Sequence, residues 1–301
     1  FHLLDTLHWT RGKHNFRFGF DRSKYNGRQF ATSPSAVYGQ YGFNGRFSGN
    51  PYSDFLLGLM DGSYRSTSVG PVYPHRLNWE FFFTDDYKVT PRLSINYGVR
   101  YSLLDSGTIE QDLIANFVPM KNALVVPDER SKSRIHPGFP KNVPIATAES
   151  LGMPKKLLYR DKNNFAPRFG FAWRPGQSND FVVRGGAGIY YIAMQPYVSD
   201  GGGAPYELRE SFTNAITNGV PAFSFPRPFP GAAYVLGGTS AGGMNPYVRT
   251  PYSIQYNLTV EKEAFDMGWS LSFVSTLARK STWSRNQNQV PADTRPYTVK
   301  L

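Results

Sequence analysis

The stretch LSINYGVRYSLL, residues 93–104, alternates apolar and polar side chains with a period of two. One face carries Leu93, Ile95, Tyr97, Val99, Tyr101 and Leu103, and the other carries Ser94, Asn96, Gly98, Arg100 and Ser102. Successive side chains of a β-strand point to opposite faces, so this pattern predicts a strand with one apolar face. That face can meet the core of a soluble protein or the hydrocarbon of a membrane, and the stretch alone does not decide between them.

The composition favours strands. The 301 residues include 19 Tyr and 23 Phe, which suit a pleated surface, and 29 Gly and 23 Pro, which suit turns. Cysteine is absent, which excludes disulfides and thiolate metal sites. The formal charge of +11 is scattered along the chain without a dense basic run, so we expect no nucleic-acid partner.

The sequence contains no apolar run long enough for a transmembrane helix, which needs about 18 residues or more. It opens at Phe1 in what reads as the middle of a strand, without a signal peptide. We therefore interpret the chain as a fragment, for which a missing signal peptide says nothing about the compartment.

Segments with a period of two recur along the chain in pairs. The pairs cover residues 3–25, 78–104, 164–192 and 251–279, and their members are joined at GKH (12–14), TPR (90–92), GQSN (176–179) and AFDM (264–267). Long segments rich in Gly, Pro, Ser and Asn separate the pairs, at 26–77, 105–163 and 193–250. Within them we predict a short helix at Ser53–Leu59 with Ser53 as its N-cap, and one or two helical turns at 147–158.

The order of these connections indicates the architecture, because short and long connections alternate from one end of the chain to the other. In an up-and-down meander, that order places all short turns at one end and all long loops at the other. Outer-membrane barrels have this asymmetry, with short periplasmic turns and long extracellular loops. The sequence therefore predicts an all-β fold, an antiparallel up-and-down transmembrane β-barrel segment of about eight strands of a larger barrel. A charge at Tyr97 is then expected to destabilise the barrel by about 2–4 kcal/mol if it lies near the bilayer midplane.

Tryptophans support a membrane environment for the apolar faces. Trp9, Trp79, Trp173 and Trp269 each lie on the apolar face of a predicted strand. Trp173 and Trp269 lie near short turns and Trp79 near a long loop, as the two aromatic girdles of a membrane barrel require. The alternative is that these residues are core tryptophans of a soluble β protein.

The opposite faces are polar and are expected to line the lumen. Five basic residues on them are our candidates for contact with a solute: Lys88, Arg100, Arg168, Arg174 and Arg184. Asp86 is expected on the same side, near Lys88 of its own strand and Arg100 of the neighbouring strand, where it would take part in a cross-strand ion pair. Asp85 interrupts the apolar face and marks either a bulge or a charge near the interface.

No catalytic or metal-binding constellation is visible in the sequence. His8 and His14 flank a turn and could approach each other, but a metal would need further ligands in a defined geometry. Asp85 and Asp86 are adjacent, so they point to opposite faces and cannot share a substrate. The glycines of RGGAGIYY (184–191) lie inside a predicted strand and not between a strand and a helix, so no phosphate-binding loop is expected. We expect no enzyme activity, no cofactor and no metal.

Five motifs resemble, in order, the Oar-like family of TonB-dependent outer-membrane transporters: RGKHNFRFGFD (11–21), FFTDDYKVTPRLSINYGVRY (82–101), NNFAPRFGFAWRP (163–175), VVRGGAGIYY (182–191) and RTPYSIQYNLTVEKE (249–263). The resemblance spans almost the whole chain. It implies a barrel of about 22 strands closed by a plug domain. It also implies an N-terminal segment that contacts TonB; this segment and the plug have no counterpart in residues 1–301.

The sequence thus leads to an expected function with two alternatives. The expectation is an outer-membrane barrel that takes up a bulky extracellular solute, with outer-membrane lipid, the plug and TonB as its partners. The second possibility is a self-contained eight-stranded barrel, either an adhesin or a small porin. The third is a soluble β-rich carbohydrate-binding protein or hydrolase.

Overall fold

The computed structural model describes residues 1–30, 37–67, 69–176, 180–193, 204–230 and 242–285. Eight long strands dominate it: β1 (His2–Arg11), β2 (His14–Asn26), β3 (Pro74–Thr90), β4 (Leu93–Leu103), β5 (Phe165–Trp173), β6 (Phe181–Tyr191), β7 (Tyr252–Ala264) and β8 (Met267–Arg279). Each strand pairs antiparallel with the next one along the chain, so their order in the sheet is their order in the sequence. The predicted antiparallel up-and-down sheet is confirmed.

The sheet is open. In the described part of the chain, β1 pairs with β2 alone and β8 pairs with β7 alone, so the outer edges of β1 and β8 are not joined to each other. A short strand, Thr108–Ile109, adds to the loop end of β3.

Three of the strand pairs are joined by two-residue turns. Gly12, with φ +59°, and Lys13 join β1 to β2, while Pro91 and Arg92 join β3 to β4. Phe265 and Asp266 join β7 to β8, with φ values of 57° and 55°. Two central residues with positive φ match the type I′ turn, whose twist suits a two-residue hairpin. The turn between β5 and β6 includes residues 177–179, which lie outside the described residues.

The register of the strands aligns the apolar positions of β4 with apolar positions of the neighbouring strands. In one row on the apolar face, Phe18 of β2, Phe83 of β3 and Val99 of β4 lie opposite one another, and all three are exposed. Leu271 of β8, on the same face, is 77% exposed. Of the four tryptophans placed on apolar faces by the sequence, Trp9, Trp173 and Trp269 are exposed, so they are not core residues of this sheet.

The buried apolar side chains lie in the long loops. Apart from Pro74 at the start of β3, Ala166 is the only buried apolar side chain that the structure describes on the eight long strands. The larger cluster brings together Val72 of the first loop, Leu124 of the second and Leu208 of the third. A smaller cluster joins Met60 of the first loop to Phe212 and Phe223 of the third. We call the three long loops, packed in this way, the loop layer.

Short elements build the loop layer. Its strands are Gln29–Phe30, Gln40–Gly42, Gly62–Ser66, Pro71–Val72, Thr108–Ile109, Asn116–Val118, Ala123–Val126, Ile145–Thr147, Arg209–Thr213, Ile216–Thr217 and Val220–Pro221. Its α-helices are α1 (Pro51–Leu57) and α2 (Glu129–Ser133), and its 3₁₀ turns are Pro119–Lys121 and Glu149–Leu151. Arg209–Thr213 of the third loop pairs with Gly62–Ser66 of the first, so a hydrogen-bonded ladder joins two loops that are distant in sequence.

The predicted helix at Ser53–Leu59 exists but is displaced towards the N-terminus by two residues. Asn50 is the N-cap, because its side chain accepts hydrogen bonds from the backbone N–H groups of Tyr52 and Ser53. Pro51 occupies the first helical position, where its missing N–H has no cost. Gly58, with φ +69°, ends the helix in the left-handed conformation. No helix in the described part of the chain is both long enough and apolar enough to cross a membrane.

Candidate functional site

The polar face of the sheet is the first part of the candidate site. One row across it consists of Asn15, Asp86, Asn96, Gly170, Gly186 and Asn257. Asp86 is the centre of this row, because its carboxylate accepts hydrogen bonds from Arg17 at 2.9 Å and from the amide of Asn96. The ion pair predicted for Asp86 therefore exists, but its partner is Arg17 of β2. Lys88 and Arg100, the partners expected from the sequence, lie in other rows.

The five basic candidates fall into two groups. Arg100 pairs with Glu80, and Arg184 pairs with Glu261 at 2.9 Å, so an acidic neighbour neutralises each of these charges. Arg174 lies at the short-turn end, where its guanidinium donates to the backbone carbonyl of Pro91 at 3.0 Å. These contacts stabilise the sheet whether or not a solute binds.

Lys88 and Arg168 form the second group, because neither has an ion pair to an acidic side chain in the residues that the structure describes. Arg168 lies over the ring of Tyr190, with its guanidinium carbon 4.6 Å from the ring centroid. Lys88 is exposed and lines a hollow of about 310 Å³ together with Asp86, Asn96 and Gly170. The charges of Lys88 and Arg168 thus remain able to attract an anionic group from another molecule or segment.

Between these charged groups, glycines leave part of the polar face without side chains. Gly170 of β5 and Gly186 of β6 are opposite each other and leave a gap between Asn96 and Asn257. The Gly-rich stretch at 184–191 lies inside β6, as the sequence predicted. At Gly185, on the apolar face, a Cβ would lie 2.7 Å from the ring of Phe171, so that glycine allows an aromatic ring to cover the backbone.

The loop layer is the second part of the candidate site, and buried asparagines hold its segments together. Asn214 of the third loop is completely buried and donates to the carbonyl groups of Met60 and Phe223, each at 2.7 Å. Asn116 of the second loop is also completely buried and exchanges hydrogen bonds with the backbone of Met244 in the third. Because a buried polar group that loses its partner is destabilising, these contacts fix the relative positions of the loops.

Ion pairs stabilise the outer part of the second loop. The ammonium group of Lys155 lies 2.7 Å from Asp112 and 3.0 Å from Asp128. Asp128 is the N-cap of α2 and accepts hydrogen bonds from the backbone N–H and the hydroxyl of Ser131, both at 2.8 Å. The Ser131 N–H and the Lys155 ammonium lower the pKa of the Asp128 carboxyl to about 2.

Asp161 ties the base of the loop layer to the sheet. Its carboxylate, in the loop just before β5, accepts a hydrogen bond from the backbone N–H of Thr250, just before β7, at 3.0 Å. It also pairs with Arg249 at 2.9 Å. Burial favours the neutral carboxyl, but these donors favour the carboxylate more strongly, and the pKa of Asp161 is lowered.

A buried polar cluster on the apolar face could not be found from the sequence. Asp85 is 0% exposed, and one of its oxygens accepts hydrogen bonds from His14 Nδ1 at 2.6 Å and from the Tyr97 hydroxyl at 2.8 Å. The β3–β4 ladder runs through Asp85 without interruption, and its irregularity lies between Lys88 and Thr90. Asp85 therefore does not mark a bulge. The only sequence signal was the break in the alternation of β3, and its partner His14 is distant along the chain.

The other residues that could suggest chemistry do not converge. His8 lies opposite Arg17 on the polar face, whereas His14 lies on the apolar face, so the two imidazoles do not approach each other. The described residues contain no group of three or more His, Asp or Glu side chains arranged to hold a metal ion.

Comparison with known proteins agrees with this architecture. A search of curated proteins finds no match to the chain. A family model described as an outer membrane beta barrel domain matches residues 1–300. Proteins with this domain lie in the outer membrane of Gram-negative bacteria, so the apolar face of the sheet meets lipid and its polar face meets the lumen. The chain belongs to the family of outer membrane beta barrel domains.

Proposed function

We propose that this barrel domain is part of a TonB-dependent receptor that binds a bulky extracellular solute in its loop layer and takes it up across the outer membrane. The resemblance of five motifs to Oar-like transporters is one support for this assignment. In this proposal, a plug domain and a TonB-contacting segment of the full-length protein open the barrel. No bond is made or broken in the solute, and no nucleic acid takes part.

The observation that carries the proposal is the construction of the loop layer. A passive pore needs loops that leave its mouth open, whereas a receptor needs a preorganised surface that remains in place without its ligand. Here residues 62–66 and 209–213 form an interloop ladder, and Asn214 fixes it to the adjoining segments. A rigid layer made from three loops provides such a surface.

The polar face of the sheet supports the same proposal. Lys88 and Arg168 have no ion pair to an acidic side chain within the described ranges, and glycines separate the charged groups around them. A plug or a passing solute with exposed carboxylate or phosphate groups would complement these charges. The open edges of β1 and β8 leave room for a barrel wider than eight strands.

The experiment uses the full-length gene product, expressed in cells that lack related receptors. Ferric siderophores, short peptides and oligosaccharides are supplied separately as radiolabelled probes, and accumulation in the periplasm is measured. Each probe is tested in cells with and without TonB. A matched variant, Asn214→Ala, loosens the loop layer but leaves the sheet intact.

We expect at least one probe class to accumulate only when both the protein and TonB are present, and accumulation to fall in Asn214→Ala. Accumulation that is the same without TonB would contradict the proposal and would favour a small porin. Binding of cells to a surface without any uptake would favour an adhesin.

A further inference from the structure

A second hollow lies on the apolar face of the sheet, at the β1–β2 turn. It has a volume of about 380 Å³ and is lined by Trp9, Arg11, Gly12, Lys13, His14, Phe16 and Tyr87. This hollow is far from the loop layer and faces lipid, so uptake of a solute through the lumen does not explain it.

The charged residues that line this hollow are basic. Arg11 and Lys13 line it without an acidic neighbour in the lining, and the Lys13 ammonium is held by the carbonyl of Val89 at 2.9 Å. The Arg11 guanidinium lies over Trp9, 5.9 Å from the ring centroid. Asp85, which lies on this face, is completely buried and already accepts hydrogen bonds from His14 and Tyr97.

The walls of the hollow are flat aromatic rings. The His14 ring stacks on Tyr87 at 4.1 Å and on Phe16 at 5.3 Å, with Trp9 5.3 Å from Phe16. Asp85 fixes the imidazole from behind through Nδ1 and leaves Nε2 without a hydrogen bond to any described residue. The hollow therefore has a positively charged part beside an apolar aromatic part, and a phospholipid has an anionic headgroup beside apolar acyl chains.

We propose that this hollow is a binding site for a phospholipid of the periplasmic leaflet. Arg11 and Lys13 bind the phosphate, His14 Nε2 contacts it from the side, and an acyl chain lies along Trp9 and Phe16. The short turns of an outer-membrane barrel lie at the periplasmic surface, which is the level of the phosphates in that leaflet. Charge complementarity selects the occupant, because arginine and lysine bind phosphate well and an apolar face excludes free water-soluble anions.

The test compares the full-length wild-type protein with its double variant Arg11→Gln, Lys13→Gln in detergent micelles. Native mass spectrometry measures retention of added palmitoyl-oleoyl phosphatidylglycerol. Arg22→Gln is the matched control, because Arg22 lies on the same strand and face as Phe16 but at the loop end, over Trp79. Resistance of the folded band to SDS verifies that every variant still folds.

We expect the apparent Kd for the lipid to rise about 30-fold in the double variant. The two lost basic residues should contribute equally to this rise, because each attracts the anionic headgroup. Arg22→Gln should leave the Kd unchanged, and excess inorganic phosphate should not displace the lipid. Equal lipid retention by the wild type and the double variant would overturn the proposal. So would complete displacement by inorganic phosphate, which would identify a simple anion site.

Discussion

Asp85 is the residue at which the apolar face departs most from a simple membrane strand. A carboxylate in contact with lipid is destabilising, and its cost depends on depth in the bilayer. Here the side chain is completely buried under its neighbours and accepts hydrogen bonds from His14 and Tyr97. Its second oxygen has no partner among the described residues. The stability of this part of the barrel therefore depends strongly on the two donors.

Removing the Tyr97 hydroxyl should destabilise the folded barrel. Tyr97→Phe leaves Asp85 with His14 as its single side-chain donor, and a hydrogen bond to a charged group contributes about 2 kcal/mol. Tyr101→Phe is the matched control, because its hydroxyl, on the same strand and face, donates to an exposed backbone carbonyl, that of Lys162. The free energy of unfolding of both variants is measured with guanidinium in lipid vesicles. Equal losses in the two variants would show that the Asp85 contact has no special role.

A charge on the lipid-facing side is best tested at Val99. The sequence suggested Tyr97 for this test, but an arginine there would lie next to Asp85 and would be partly neutralised. Val99 lies opposite Phe83 near the middle of β4. Val99→Arg should destabilise the barrel by about 2–4 kcal/mol.

The control for Val99→Arg is Gln255→Arg on the polar face of β7. Gln255 lies in the row of Arg168 and Gly188, on the face of the sheet opposite to that of Val99. An arginine there remains in the lumen and should change the free energy of unfolding by less than about 1 kcal/mol. If both substitutions had the same small effect, the apolar face would not be in lipid.

At the scale of elements, the strands could be predicted from sequence and the loop layer could not. The alternation in β4 and β7 is local, so it can be read from a dozen residues, and the observed strands begin and end within a few residues of those expected. The ladder between residues 62–66 and 209–213 joins segments too far apart in sequence for any local pattern to indicate it. The partners of Asp85 and Asp86, on β2, depend on register and were missed for the same reason.

The β7–β8 turn offers a stabilising substitution. Phe265 and Asp266 both have positive φ, which disfavours a side chain with a Cβ, and Phe265 is 88% exposed. Replacing them by Asn-Gly, the preferred pair for a type I′ turn, should stabilise the hairpin by about 1 kcal/mol. The midpoint of guanidinium unfolding should rise. The same Asn-Gly pair at Pro91 and Arg92 serves as the control, and an equal rise there would contradict the explanation by φ.

Because the N-cap of α2 is the carboxylate of Asp128, we expect acid to destabilise this part of the loop layer. The pKa of Asp128 is lowered from its ordinary value of 3.8 to about 2. The ionised carboxylate therefore stabilises the fold fully at pH values above about 4. This stabilisation is lost as the pH falls from about 4 towards 2. The protection factors of the amides in residues 123–134 against hydrogen exchange should therefore fall over that range.

Two variants separate the contributions of Asp128. Asp128→Ala removes both the cap and the pairing with Lys155, and should cost about 1 kcal/mol at neutral pH. Asp128→Asn retains a cap but cannot pair with Lys155, so it should cost less and weaken the response to acid. An unchanged response in Asp128→Asn would assign that response to other carboxylates.

At the scale of the whole molecule, apolar side chains follow two opposite arrangements. On the long strands they point outwards and are exposed, whereas in the loops they are buried in two clusters. A single solvent does not favour both arrangements, because water favours buried apolar groups and lipid favours exposed ones. The change from one arrangement to the other marks the boundary between the membrane and the extracellular water.

This boundary can be tested directly because the chain contains no cysteine. Met120→Cys places a thiol on the loop layer at a site that is 84% exposed, and Phe265→Cys places one on a short turn at a site that is 88% exposed. The two sites are matched in exposure and differ in the side of the membrane they are predicted to occupy. Maleimide coupled to a bulky polyethylene glycol, which does not cross the outer membrane, is added to cells before and after permeabilisation.

We expect labelling at position 120 in intact cells, and labelling at position 265 only after the outer membrane has been permeabilised. Equal labelling of both positions in intact cells, or labelling of position 265 alone, would contradict a sheet that spans the outer membrane with its long loops outside.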